Sequence, residues 1–351
     1  MPIPGSGQVS LSDLYDEYTG THDSQEIQLS DYHDEGNAPA SGEIQLAADF
    51  HGTSAAINYR SHTFTGSGTF TVTTGGSMDF LLVGGGGGGG GGFQGGIGMH
   101  GGSGGGGSGG VRVFTGVNIA AGTYQVSIGS AGSTGTADGQ NANGYYTQYW
   151  GSSPSVATVV TNGGGRGGHI HADEPPANQH GGAGASGGGG SDYGSYSYNN
   201  GRGGNIGNFS PAEGNDGGTA AHRYTGYNNN SGAGGGGGGP GGAGGNATAP
   251  FYGVGGNGGA GIVNTFRDGT NITYGGGGGG ACRNGTQGSG GGQGRPAGGG
   301  SNAPANSGGG GGAHRYTSNN GGGAGTGILV FRYEDDSPIS VSGGTEATYS
   351  A

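Results

Sequence analysis

The sequence predicts a mainly β protein with irregular structure, in which short β-strands frame a stacked sandwich of polyglycine II helices. Small N-terminal repeats of strand and short helix precede it. The first sign is composition: glycine supplies 104 of the 351 residues, much of it in the unbroken runs 84–92, 234–239 and 275–280. The second is what brackets those runs. Met78-Asp-Phe-Leu-Leu-Val83 leads into the first and Gly327-Ile-Leu-Val-Phe-Arg-Tyr333 follows the last, whereas flexible spacers do not begin and end on β-branched and aromatic patterns. The third is an internal copy. Ala221-His-Arg-Tyr-Thr225 and Ala313-His-Arg-Tyr-Thr317 each adjoin a long glycine run, which implies a repeated structural role.

Glycine loses more freedom on folding than any other residue. At roughly 1–2 kcal/mol per ordered residue, this much glycine opposes folding by something on the order of 100–200 kcal/mol. The chain is therefore either disordered or packed so closely along its backbone that side chains would not fit, and the flanking strands favour the second. Collagen is excluded, because it needs glycine at every third position and abundant proline, and only 12 prolines occur.

Residues 1–56 read as an acidic repeat region. Gly7-Gln-Val-Ser-Leu-Ser-Asp13, Gln25-Glu-Ile-Gln-Leu-Ser-Asp31 and Gly42-Glu-Ile-Gln-Leu-Ala47 recur along it. Each opens on alternating apolar positions: Val9 and Leu11, Ile27 and Leu29, Ile44 and Leu46. Ser12 and Ser30 stand where a helix N-cap would, followed by acids, and Leu14 would lie on the helix face. Units this small bury little core alone. Val9, Leu11, Leu14, Ile27, Leu29, Ile44 and Leu46 are therefore read as docking residues for neighbouring subunits or another protein.

Residues 57–334 form the glycine-rich body. Ser61 to Phe64 and Thr69 to Thr73 alternate around Gly66-Ser-Gly68 and read as a hairpin. Met78 to Val83 reads as a buried strand. Val111 to Thr115 and Thr123 to Ile128 read as a second pair around Ala120-Ala-Gly122. From Gly129 to Gly327 glycine runs alternate with polar or aromatic segments, and Ile328 to Tyr333 closes the body. Residues 335–351 read as a polar tail.

A glycine run can take the extended threefold form, rising about 3.1 Å per residue without internal hydrogen bonds. Each N–H and C=O must then find a neighbouring helix. With glycine at nearly every position such helices can stack side by side and exchange main-chain bonds in several directions. The segments between runs use Tyr, Ser, Asn and Gly with occasional Trp and Arg, the residue set of adaptable recognition loops. Tyr145, Tyr146, Tyr149, Trp150, Tyr193, Tyr196, Tyr198, Tyr224, Tyr227, Phe251, Tyr252 and Tyr316 are the candidate receptor-contacting residues.

Formal net charge is −12, and all ten basic residues are arginine. Residues 1–56 carry the acidity, and the body is close to neutral. Nucleic-acid binding would need a basic stripe, and none is present. Cys282 stands alone, so no internal disulfide framework arises, and it reads as a small residue in a tight place. The N-terminus has neither the charged start nor the apolar core of a secretory leader, and no apolar stretch reaches the length of a membrane span.

The chain resembles the glycine-rich domain family of bacteriophage and prophage virion proteins over roughly residues 60–334. The likeness rests on Phe64-Thr-Gly-Ser-Gly-Thr-Phe-Thr-Val72, Phe80-Leu-Leu-Val-Gly-Gly-Gly86, Ala121-Gly-Thr-Tyr-Gln-Val-Ser-Ile-Gly129 and Gly325-Thr-Gly-Ile-Leu-Val-Phe-Arg-Tyr333. The architecture is similar to the adhesins at the tips of T-even-like long tail fibres, whose polyglycine II sandwich displays receptor-binding loops. Those adhesins lack an acidic N-terminal repeat region. The resemblance implies a virion protein, a tail-fibre or tail-tip adhesin, assembled in the host cytoplasm and acting at the host cell surface. Its partners would be other virion proteins through residues 1–56 and a host glycan or outer-membrane protein through the loops. It would be a homo-oligomer, a trimer being one form.

No enzymatic constellation stands out, and no cofactor is expected. Gly-x-Ser-x-Gly and Gly-x-Gly-x-x-Gly spellings carry no information in glycine-rich text. Asp173-Glu174 and Asp335-Asp336 read as solvated loop acids. His169-Ile-His171 is a weak metal candidate, since the resemblance implies that such pairs from three chains can enclose iron in trimeric fibres. The alternative to an adhesin is a purely structural fibre, decoration or filament subunit, with the tyrosines buried between subunits. An ice-binding protein is a third reading; it would want a flat Thr or Ala face.

Overall fold

The computed structural model describes residues 57–91, 101–135, 147–151, 159–170, 180–192, 200–223, 231–248, 253–282, 285–297, 302–314 and 320–350. The described residues of the main unit, Arg60–Tyr349, contain strands and extended segments and no helix. None is therefore a helix long and apolar enough to cross a membrane. The N-terminal region 1–56, with its repeat units, lies outside the described residues.

Two five-stranded sheets stand at one end of the body. One has the order β14-β1-β12-β3-β4 and the other β13-β2-β5-β6-β7. Their strands are β1 (Asn58–Phe64), β2 (Gly68–Thr74), β3 (Gly76–Val83), β4 (Val111–Ile119), β5 (Gly122–Ser127), β6 (Thr147–Gly151), β7 (Val159–Thr161), β12 (Ile328–Glu334), β13 (Ser340–Ser342) and β14 (Thr345–Ser350). Between the sheets lies the apolar core: Phe64, Phe70, Val72, Met78, Phe80, Leu82, Tyr124, Val126, Leu329 and Phe331 are all buried in one cluster. Phe70 stacks on Tyr124 with ring centroids 4.8 Å apart. On the other face of the first sheet, Leu81, Val83, Ile328 and Val330 pack on Phe266 and Tyr274, which flank and close the small hairpin of β10 (Ile262–Asn264) and β11 (Ile272–Tyr274). β8 (Ala221–Arg223) and β9 (Ser231–Ala233) pair as a second small hairpin.

The interior strand β3 and the closing strand β12 stand where the sequence places them, and they pair antiparallel with Leu82 opposite Leu329. The two expected hairpins do not form. β1 and β2 belong to different sheets, as do β4 and β5. Each connection crosses the sandwich, which lets Phe64 and Phe70 meet face to core with centroids 6.2 Å apart instead of lying side by side. The expected polar tail also differs. Its residues supply β13 and β14, which join the two sheets beside β2 and β1. Asp335 is no free loop acid: it accepts from Arg60 Nε at 2.7 Å. His62 is buried, donates from Nδ1 to Gly343 O at 2.8 Å and stacks on Phe331. Burial pushes its pKa down, so it is held neutral in the core.

Strands β3, β4 and β12 run without interruption into glycine runs that remain neighbours. Val83 is paired with both Val111 and Ile328; immediately beyond, Gly84 N donates to Gly110 O and Gly86 N to Gly325 O, both at 2.9 Å. The sheet ladder then becomes a lattice. Gly84, Gly87 and Gly90 donate to Gly110, Gly107 and Gly104, while Gly86 and Gly89 donate to Gly325 and Gly322. A given neighbour therefore recurs at every third residue, which is the period of polyglycine II. Residues 102–110 are fully enclosed: main-chain bonds join them to 84–90, 162–168, 186–192, 235–238, 278–281 and 308–311.

Glycine is required here by proximity. A Cβ on Gly106 would lie 2.0 Å from Gly87 O, and one on Gly237 2.0 Å from Gly106 O. Exposed side chains recur where an outer segment faces solvent, whereas the few within the lattice, such as Ser103 and Ser108, are buried. Val254, Asn257, Ala260 and Val263 are exposed at every third position, as are Ala243 and Asn246, and Thr286 and Ser289. Several of these side chains close the lattice. Asn246 Oδ1 accepts from Thr219 N at 2.8 Å, Asn257 Oδ1 from Ser289 N at 2.9 Å, and Asp216 Oδ1 from Gly204 N at 2.7 Å. Each satisfies an amide that would otherwise need a further layer of glycine.

Gly106→Ala should destabilise the protein by on the order of 3 kcal/mol or more, because the obstacle is a main-chain carbonyl and not a side chain that can rotate away. Gly66→Ala, where an added Cβ meets nothing within 4 Å, should change stability by less than about 0.5 kcal/mol. Thermal melts of the two variants against wild type check the pair.

Candidate functional site

The directions of the glycine segments place the described flanks of the stretches between them. Residues 84–91 lead away from β3, and 102–110 return to β4. The remaining segments bond in register with these two, so each has one end at the sheets and one end remote from them. At the remote end, Ile170 N donates to Gly91 O and His314 N to Gly90 O. Asp192 bridges Gly102, and Cys282 bridges Ala233. Thr248 pairs with Val254 there, and Val254 with Thr286.

The described residues that flank segments 92–100, 171–179, 193–199, 224–230, 249–252, 283–284, 298–301 and 315–319 all stand at this remote end. Segment 136–146 begins there, after Gly135 N has donated to Gly89 O, and returns to β6. Tyr145, Tyr146, Tyr193, Tyr196, Tyr198, Tyr224, Tyr227, Phe251, Tyr252 and Tyr316 fall in these stretches and outside the described residues. Their points of departure are nevertheless fixed. Tyr149 and Trp150 differ from the others: they lie on strand β6, opposite Val126 and Gln125 of β5, and not in a turn at a segment end.

Among these flanks lies a polar layer that the sequence did not single out. Asp192 is fully buried, and His222 Nδ1 donates to its Oδ2 at 2.9 Å. Ser191 Oγ donates to His169 O at 2.9 Å, and Ser103 Oγ to His314 O. The duplicated Ala-His-Arg-Tyr-Thr order has a visible meaning. Ala221 and Ala313 are both buried at the margin of the lattice, where one methyl is tolerated, and the following His is the last described residue or the last but one before a loop. The signal for the Asp192–His222 pair was thus half present, in His222 of the repeat and in the acid just before Tyr193.

Burial pushes the Asp192 carboxyl up to about 6, against the opposing effect of His222. The hydrogen bond that it donates to Asp192 raises the His222 imidazole above its ordinary value. His169 is buried, while His171 lies outside the described residues. Among the described residues, no group of His, Cys, Asp and Glu is arranged to hold a metal. Cys282 is buried, with its amide donating to Gln287 Oε1 at 3.1 Å, in keeping with a small residue in a confined position.

Both members of the pair bind protons more tightly when folded than when unfolded. The contribution of His222 is fully present below its unfolded pKa near 6.5 and is lost as pH rises through the raised folded value. Charging of Asp192 as pH rises through about 6 works in the same direction. The stability contributed by the pair therefore falls as pH increases. An NMR titration of His222 should give a pKa above the ordinary histidine value, returning towards it in Asp192→Asn; an unchanged value would show that the pair does not form.

Residues 63–334 match the family model of the glycine-rich domain, beginning at β1 and ending with β12. No curated protein matches the chain. The matched span includes the core strands β2, β3, β4, β5 and β12 together with every described segment of the lattice, and on that extent the chain belongs to the glycine-rich domain family.

Proposed function

We propose that the protein is a phage tail-fibre or tail-tip adhesin that presents Tyr-, Asn-, His- and Arg-bearing loops to a receptor on the host cell surface. In this reading residues 1–56 attach it to other virion proteins, and it has no enzymatic activity. One observation supports the reading above the rest: segments rich in tyrosine and asparagine leave and re-enter one end of a hydrogen-bonded lattice. A rigid base lowers the entropy lost when loops engage a partner. Aromatic rings on such a base provide contact area with few rotatable bonds. Tyr faces suit sugar C–H surfaces, and Asn and Arg suit hydroxyls and acidic groups, so a surface glycan or an outer-membrane protein fits the loop chemistry.

The reading places recognition in the loops and stability in the lattice, so the two should separate experimentally. Replacing 193–199 with Gly-Ser sequence of equal length should leave the melting temperature within a few degrees of wild type. Binding to fractionated host envelopes should fall by about tenfold or more, the loss of a few aromatic contacts. Parallel replacements of 224–230 and 315–319 complete the set. Unaltered binding in all of them would remove the adhesin reading and favour a structural virion subunit.

A further inference from the structure

β4 is the outermost strand of its sheet and the longest edge among the described residues, spanning Val111–Ile119. The other described edges are short or charged. β13 and β7 have 3 residues each, and β14 carries Glu346, which is bonded to Arg60. β4 bears neither device. Its one charge, Arg112, is held by neighbouring groups: the guanidinium lies 3.8 Å from the Phe209 ring centroid and donates to Val160 O at 2.7 Å.

Along this edge runs a cleft of about 360 Å³ whose lining includes Val111, Val113, Phe114, Pro211, Pro240 and Ile262. Val111 N already donates outward to Glu213 O at 3.0 Å. By the alternation of an antiparallel strand, the amide and carbonyl of Val113 face the same way, into the open part of the cleft. Val113 is itself 41% exposed. At Gly116 the edge ends, since its N donates to Asp79 Oδ1 across the bulge. What remains is a short unpaired edge beside apolar walls. It would accept a few residues of extended chain with apolar side chains two apart.

The chain carries such segments in triplicate: Val9-Ser-Leu11, Ile27-Gln-Leu29 and Ile44-Gln-Leu46. They lie in the acidic region, while the body is close to neutral and has Arg112 in the cleft wall. Three units against one cleft per chain means that pairing within a chain could occupy one unit at most. We propose that the β4 cleft binds an N-terminal apolar-x-apolar segment of a second copy of this chain by strand addition, so that residues 1–56 link neighbouring copies. Main-chain bonds to Val113 would give affinity, and the paired apolar side chains would fill the cleft. This assignment does not depend on the receptor-binding role.

The test uses full-length protein and sedimentation velocity over a range of concentrations. Wild type should associate. Val113→Glu, at an exposed position, should fold normally and weaken association by about tenfold or more, the burial of one valine side chain. A donor variant with Val9, Leu11, Ile27, Leu29, Ile44 and Leu46 changed to serine should be weakened at least as much. Mixing the two variants is decisive, because one keeps its donors and the other its cleft: they should form a mixed dimer at concentrations where neither variant alone associates. A monomeric wild type, association of either variant as strong as wild type, or failure of the mixture to associate would each overturn the proposal.

Discussion

Everything in this structure hangs on main-chain hydrogen bonds that run sideways between glycine segments. In most domains the backbone bonds inside helices or sheets, and apolar side chains then hold those elements together. Here the backbone bonds also do the second task. Residues 102–110 sit within a ring of other segments, each joined through N–H···O=C bonds, with no room for a Cβ at the glycine positions. The apolar cluster around Phe70, Phe80 and Phe331 has a different duty. It aligns β3, β4 and β12, and those strands hand their register directly to the first glycine segments. A one-residue slip in the sheet would displace every subsequent lattice bond, so the small core governs a much larger assembly of peptide groups.

The sequence made some of this legible and hid the rest, for physical reasons. Phe80 to Val83 and Ile328 to Phe331 are continuously apolar because both faces of the sheet are covered, by the sandwich core on one side and by Phe266 and Tyr274 on the other. That pattern is readable without a partner. Which strands pair is not readable, because β1–β2 and β4–β5 look like hairpins locally and only the aromatic core decides that the chain crosses between sheets. β13 and β14 were invisible for another reason: half-exposed edge strands such as Thr345–Ser350, with a pattern of exposed and intermediate positions, have little apolar signal to read.

The loop-bearing end was legible as chemistry and not as geometry. The sequence displays its tyrosines between glycine runs, but only the bond register places the flanks of those stretches at one end. Tyr149 and Trp150 share the composition of a loop and stand on a strand. The buried Asp192–His222 pair shows the converse. A carboxylate placed one residue before a tyrosine-rich segment reads as surface charge, whereas the lattice encloses it completely. Enclosure depends on the neighbours of residue 192 in space, and glycine text does not announce them.

The replacement of apolar packing by peptide packing has a thermodynamic corollary. Heat capacity rises when apolar surface is exposed to water and falls when polar surface is exposed. A domain whose interior is mostly amide groups should therefore unfold with a heat-capacity increment below the roughly 12–15 cal/mol/K per residue of ordinary globular proteins. Its stability curve would be broad and shallow, and the cooling that weakens oil-like cores would leave this interior largely untouched.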